Sequence, residues 1–493
     1  MRQSGILLHI TSLPSKGGIG TLGKDAYEFV DFLVESGMSV WQVLPVSPTG
    51  FGDSPYQSVS SFAGNPLLID FELLEKDGLT PPDFKWLGEV SDPEMVDYGV
   101  VVPQKDALLR KVYAYSGKRL KNEIAAFRKE QTWVEDYALF SAIKQHFGLI
   151  SWMEWPDQAI RHREEAAMKH YQELLEDEVN YYIFIQYLFY RQWFSLKTYA
   201  NGKGIDIFGD MPIYCAEDSA DVWCAPEMFQ LNKNLKPTRV SGCPPDAFST
   251  DGQRWGNPLY NWRNMQKTNF AWWIERLKGM GELYDIIRID HFIGFANYYS
   301  IPAKEKTARI GKWIPAPGRQ LFKQVKEQLP NLRVVAEDLG VMSQRVYNLL
   351  HYCGYPGMKI MMFGFYGDPA SEFYPQNFPQ NCVVYTGTHD NETLVGFLKQ
   401  QSEKQINLMK KLLKVETAKQ IPDAMLDAGL MSRANMCIYP MQDILELDNS
   451  ARMNTPSTIG GRNWRWRMLS GAANKKQAAR LLKKNILSGR TIR

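Results

Sequence analysis

Six cysteines in 493 residues, none in a C-x-x-C pair, leave this sequence without a disulfide or zinc framework. Cys215, Cys224, Cys243, Cys353, Cys382 and Cys437 read as buried free thiols of a reducing compartment. Neither sign of charge is in excess. Against 54 Asp and Glu stand 57 Lys and Arg, a formal net charge of +3, too weak a field to recruit nucleic acid or an anionic membrane. No apolar run is long enough to span a bilayer. The N-terminus lacks a signal peptide's apolar region and reads as a strand that starts at once. The triplet Asn391-Glu392-Thr393 fits a glycan acceptor but lies within a polar cluster that a glycan would obstruct, so a cytoplasmic location is expected. Repeats and low-complexity tracts are missing. So are H-E-x-x-H, Ca²⁺-loop and Walker patterns and G-x-S-x-G, and Gly17-Gly18-Ile19-Gly20 lacks dinucleotide spacing. The expectation is an enzyme with no cofactor and no metal.

Aromatic residues, by contrast, are plentiful: 14 Trp, 24 Tyr and 24 Phe. Several fall in Gly/Pro/Asn-rich stretches, among them Trp255, Tyr260, Trp262, Trp464 and Trp466, where aromatics line clefts for flat, partly apolar ligands such as sugars. Short apolar runs at Gly5–His9, Val40–Leu44, Ile205–Gly209, Asp285–Ile289, Arg333–Ala336, Met358–Phe363, Val383–Tyr385 and Met436–Tyr439 predict strands. Between them lie helical periodicities at Asp25–Ser36, Glu178–Asn201, Phe270–Met280, Arg319–Gln328, Gln344–Tyr352 and Glu403–Leu413. Eight buried-type strands alternating with helices predict a (β/α)8 TIM barrel, a single α/β catalytic domain over 1–493. Two insertions are expected. One, about 66–200, is a helical subdomain between strands two and three, in which Tyr181, Tyr182, Phe184, Tyr187, Phe189 and Tyr190 read as core packing. The other, about 215–265, is Gly/Pro/Asn/Asp-rich and reads as a loop layer over one barrel end, between strands three and four. Lys475–Arg493 reads as a basic amphipathic last helix with a solvated face.

Residues just past barrel strands converge on one rim. Those positions hold His9, then Asp210, then Arg288, Asp290 and His291, then Glu337 and Asp338, and finally His389, Asp390 and Asn391. One surface acid signifies little, but acids at four strand ends of one rim define a site. The chemistry left open is glycosyl transfer, which sets a carboxylate and a carboxylic acid on either side of a scissile bond. Arg288, two residues before Asp290 on the same strand face, supplies the positive partner an ionised nucleophile needs. Glu337 lies among other acids, whose like charge would keep a proton on it. Asp390 is a third carboxylate, to bind sugar hydroxyls or to stabilise positive charge at C1.

The stretches Arg288-Ile-Asp290-His291-Phe292, Ala336-Glu337-Asp338-Leu339-Gly340 and Tyr385-Thr-Gly-Thr-His389-Asp390-Asn391 resemble the catalytic motifs of the α-amylase superfamily. With Gly5–His9, Trp41–Pro45, Ser54–Ser58, Phe62–Pro66, Gly209–Ile213, Gly252–Pro258 and Arg452–Pro456, in order along nearly the whole chain, the pattern is similar to the 4-α-glucanotransferase branch. That branch is also called amylomaltase or disproportionating enzyme, glycoside hydrolase family 77. The resemblance implies that Asp290 is the nucleophile, Glu337 the acid and base, and Asp390 the transition-state stabiliser. Arg288, His389, Asp210, Gln253 and Asn454 would bind substrate or nucleophile, and Tyr56 and Trp255 would stack on glucose rings. Donors would be maltooligosaccharides or starch- and glycogen-derived α-1,4-glucans, and acceptors glucose or maltodextrins. One departure stands out: after the strand-three Asp many amylases carry Asn-His, whereas here Tyr214-Cys215 stands. This puts the amylase calcium site in doubt and agrees with the branch, as does a chain too short for a C-terminal β-domain. The rival readings are an α-amylase-like retaining hydrolase with the same trio and a non-catalytic glycan-binding protein.

Overall fold

A computed structural model of the chain describes residues 2–491 other than 87–91, 246–248, 341, 367 and 369. Its strands are β1 Gln3–Leu7, β2 Val40–Gln42, β3 Asp206–Met211, β4 Arg239–Cys243, β5 Gln253–Pro258 and β6 Ile286–Ile289. They continue as β7 Asn297–Pro302, β8 Lys312–Pro315, β9 Val334–Ala336, β10 Gly357–Ile360, β11 Cys382–Tyr385 and β12 Met436–Pro440. Eight form one parallel sheet in the order β10-β11-β12-β1-β2-β3-β6-β9, each pair in register, for example Asp210 opposite Arg288 and Ile289 opposite Ala336. The strands are apolar because both faces are covered: Ile6, Trp41, Ile207, Ile287, Val384 and Ile438 are buried. At the seam between β9 and β10 the Ala336 N–H donates to the Pro356 carbonyl (2.9 Å) and the Met358 N–H to the Asp338 carboxylate (2.7 Å). The sheet is thus the expected barrel, nearly closed. Gly209 is required on β3, since a Cβ there would stand 2.2 Å from the Tyr284 ring.

All eight expected barrel strands are present. The sixth is shorter than its apolar run, ending at Ile360 before a 3-10 turn at Met361–Gly364. There the chain leaves the ladder at the barrel rim, where the Met362 N–H bonds the Thr386 carbonyl instead.

Between β2 and β3 the chain is helical, ending in the 27-residue helix Glu176–Gly202. Of its aromatic stripe, Tyr181, Phe184, Phe189 and Tyr190 are buried, and Tyr182 and Tyr187 pack partly buried against them, so the stripe is core. Two buried glutamines give this helix a further task. The Gln186 amide accepts from the Gly64 N–H (2.8 Å) and donates to its carbonyl (2.9 Å). Gln192 does the same to Asp70 (2.8 and 2.9 Å). Each amide replaces a strand partner for otherwise orphaned backbone and fixes the loop that descends from Tyr56.

Residues 215–265, of which 246–248 lie outside the described set, carry β4 and β5 rather than loop alone. Both belong to a four-stranded antiparallel sheet, order β5-β4-β7-β8. Their glycines, prolines and arginines give no alternating pattern, because β4 buries three consecutive residues and β5 only its last two.

Candidate active site

The rim at the carboxyl ends of the barrel strands gathers the expected acids. Arg288, 4% exposed, ties two of them: its Nη1 lies 2.6 Å from Asp210 Oδ2 and its Nη2 2.8 Å from Asp290 Oδ1. Burial among these charges leaves the guanidinium permanently protonated. Asp210 is wholly enclosed. Its Oδ2 also accepts from the Tyr56 hydroxyl (2.7 Å), while its buried Oδ1 has no partner. Burial first, and then the Asp290 charge, outweigh Arg288 and raise the Asp210 carboxyl above the usual range.

The strand ends place Glu337 differently. Its Oε2 accepts the His291 N–H (2.8 Å) and its Oε1 the Leu339 N–H (2.7 Å). The first of these bonds exists because His291 takes a left-handed conformation, φ 51°, directly after Asp290 and so aims its N–H across the rim. Burial pushes the Glu337 carboxyl up to about 8, with the Asp290 charge as a second cause and Arg288 opposing. The direction agrees with the sequence reading, but the leading cause is burial rather than like charge. Asp290 keeps 31% of its side chain open to the cleft whereas Glu337 is 7% exposed. Two neighbouring carboxyls therefore sit in opposite environments. His291 is also held neutral, its pKa lowered by burial to about 4.

Asp390 stands on the loop after β11. Its Oδ1 accepts from Asn454 Nδ2 (2.6 Å) and lies 3.4 Å from His389 Nε2. The loop is shaped by Asn391, whose Oδ1 accepts the Thr388 N–H (2.8 Å), and is tied from outside by Arg452, which donates to the carbonyls of Asp390 (2.7 Å) and Asn454 (2.8 Å). The Tyr56 ring lies parallel to His389 (centroids 5.1 Å, 13°), so Tyr56, His389, Asp210, Arg288 and Asp290 form one connected group. Trp255 meets His291 edge-on (4.8 Å, 84°) from β5, and its indole N–H donates to the Gln253 amide (3.1 Å). Gln253 thus braces Trp255. Trp464 and Trp466 are buried; Trp464 packs on Tyr56 (5.7 Å) and His389 (5.9 Å), so it supports the wall instead of offering a free face.

Three contributors escaped the sequence reading as site residues. Arg452 lies inside a quoted motif, two residues before Asn454. Tyr214 stands beside Trp255 (6.2 Å). Asp443, raised to about 6 by burial, accepts from the Thr386 hydroxyl and from the Leu394 N–H (2.7 Å), fixing both ends of the 387–393 segment. Only the spatial neighbourhood of β11 and β12 reveals it. Among the described residues no group of three or more His, Cys, Asp or Glu is arranged to hold a metal ion, and no helix is long and apolar enough to cross a membrane.

The chain is similar to known proteins over nearly its whole length. The family described as 4-alpha-glucanotransferase matches residues 8–472. A 4-alpha-glucanotransferase of Clostridium butyricum is 44% identical over 491 residues, covering 98% of this chain and 100% of that one. One from Thermus thermophilus is 43% identical, with 97% of each chain covered. The solved amylomaltase from Streptococcus agalactiae, in complex with acarbose, superposes with a TM-score of 0.96 at 42% identity over 100% of both chains.

Proposed function

The chain belongs to the 4-alpha-glucanotransferase family and is an enzyme acting on α-1,4-glucans; from that premise we propose that Asp290, Glu337 and Asp390 carry the transfer. The observation that supports this reading most is the contrast between the two neighbours on the rim: a buried, proton-holding Glu337 beside an arginine-bound, cleft-facing Asp290.

In this reading the glucan lies across the rim with its scissile bond between the two carboxyls. Arg288 holds Oδ1 of Asp290, which leaves Oδ2 to attack C1. As the C1–O bond breaks, Glu337 gives its proton to the departing oxygen and the reducing-end piece leaves with a new hydroxyl. The glycosyl group is then an ester on Asp290. The hydroxyl of an incoming sugar attacks C1 from the vacated side and returns its proton to Glu337, and Asp290 is freed. Two displacements retain the α configuration. Asp390, held by Asn454, faces the positive charge that develops at C1, and His389 and Tyr56 bound the ring held there. Maltooligosaccharides, starch- or glycogen-derived glucans and glucose are the donors and acceptors of this reading. Trp255, on the β4–β5 layer, covers the acceptor side and favours a sugar over water. The setting is cytoplasmic, and nucleic acid and membrane play no part.

Maltotriose supplies the test. The intact enzyme should give glucose and a ladder of longer maltooligosaccharides with reducing ends constant; Asp290→Asn should abolish the ladder. Rising reducing ends and only shorter sugars would favour the amylase-like hydrolase, and a ladder from Asp290→Asn at the normal rate would remove Asp290 from the mechanism.

A further inference from the structure

Away from the carboxylates, on the outer flank of the barrel, a cavity of about 620 Å³ opens between the helices Gly318–Gln328 and Gln344–Cys353. That volume lies within the roughly 300–1,000 Å³ of small-molecule sites. Its floor is apolar and buried, formed by Phe295, Ala316 and Leu349. Its rim is cationic: Arg319, Lys323 and Arg345 line it, and no carboxylate does among the described residues. Arg345 spends one weak bond on the Ala316 carbonyl (3.4 Å), and Lys323 meets Glu327 only at 3.8 Å. Arg319 lies over the Tyr352 ring (4.7 Å) and, among the described residues, forms no ion pair that would neutralise it. The oxygens of Gln320 and Asn348 accept from Gln266 (2.6 Å) and Gln344 (3.0 Å), which leaves their amide N–H groups to donate to hydroxyl groups.

We propose that this cavity is a binding site for an organic phosphate of about hexose size. Two arginines and a lysine around one opening, with no acid among them, match a phosphate monoester, whose oxygens accept the forked guanidinium donors. The amides and the apolar floor suit a sugar body. A nucleotide fits less well, because the one aromatic ring at the rim, Tyr352, already carries Arg319 (4.7 Å) and Lys326 (4.5 Å) against it, cations with which a base would have to compete. The floor is rigid, since the Ala316 N–H bonds the Ala296 carbonyl (3.0 Å) and Phe295 packs against Trp273 (4.9 Å). The proposal does not depend on the roles given to the cleft acids.

Calorimetric titration of the full-length enzyme with glucose 6-phosphate, inorganic phosphate, glucose and AMP tests it. Saturable binding of glucose 6-phosphate is expected, tighter than inorganic phosphate and with none for glucose at the same concentrations. The double variant Arg319→Gln/Arg345→Gln should weaken it at least tenfold, and Asn348→Trp, which fills the cavity without touching a charge, should do likewise. Transfer from maltotriose should persist in both variants, showing that they fold. No saturable binding, equal affinity in the variants, glucose or phosphate binding as well as the ester, or AMP binding better than it would each overturn the proposal.

Discussion

Glu337 is the residue whose environment decides the chemistry. Its carboxyl is raised to about 8, first by burial, so the acid form persists at neutral pH and is lost as pH rises through that value. The acid form is the one that protonates the departing oxygen. We therefore expect kcat/KM for maltotriose to hold near neutrality and fall on the alkaline side with a midpoint near 8. Glu337→Gln should lose that alkaline limb and about 10²–10⁴ of the rate; an unchanged limb in the variant would assign it to another group. Tyr56→Phe tests the neighbouring bond to Asp210, and its loss should lower kcat/KM by about 10- to 100-fold, read from initial rates. Glu337 and Asp210 were legible in the sequence because each sits at a strand end on a rim of acids, whereas Tyr56 was marked only by motif resemblance. What the sequence hid was the cause: like charge is visible in the spacing of Asp290 and Glu337, whereas the enclosure of Glu337 beneath the His291 turn depends on a left-handed residue that no local pattern announces.

At the scale of elements, strands buried on both faces could be read and strands over the rim could not. The runs at Val383–Tyr385 or Val334–Ala336 are apolar throughout because helices cover one side and the barrel interior fills the other. β4 and β5 carry Arg239, Gly242, Gln253, Arg254 and Gly256, and their pairing is set by backbone bonds across the sheet. Gln253 illustrates the consequence: motif resemblance marks it for substrate, and the sheet also sets its amide oxygen under the indole N–H of Trp255. If the β4–β5 layer screens the covalent intermediate from water, Trp255→Ala should raise the ratio of hydrolysis to transfer by roughly 3- to 10-fold. Product analysis of maltotriose digests measures that ratio, and no change would remove the layer from acceptor selection. The loop after β11 makes a parallel case: Asn454→Ala deletes the 2.6 Å bond to Asp390 and should depress kcat more than it raises KM.

The molecule as a whole is closed at the opposite end from its chemistry. Arg490, 1% exposed, donates to the carbonyls of Leu430 (2.7 Å), Ser432 (3.1 Å), Ala434 (2.7 Å) and Gln3 (2.9 Å), locking the last helix beneath β1 and β12. Arg490→Met leaves the carbonyls of Leu430, Ala434 and Gln3 without this donor, while Ser432 keeps Arg2 (2.7 Å); at about 1 kcal/mol or more each, a loss of at least about 3 kcal/mol is expected with kcat per folded molecule unchanged. Thermal unfolding beside initial rates separates the two quantities. Lys475–Arg493 reads in sequence as a basic amphipathic helix with a solvated face; beside the apolar Leu481, the polar Lys484, Asn485 and Arg490 are also buried, a role visible only once β1 and β12 are neighbours.

The barrel brings strand ends from four distant parts of the chain to one rim, and the account rests on Asp290 being the atom donor that captures the sugar there. Mass spectrometry of the enzyme treated with a fluorinated α-glucosyl fluoride, which slows release of the ester, tests this directly. One glucosyl adduct on the peptide containing Asp290, absent in Asp290→Asn, is the result expected. An adduct on another carboxylate, or turnover with no adduct at all, would contradict it.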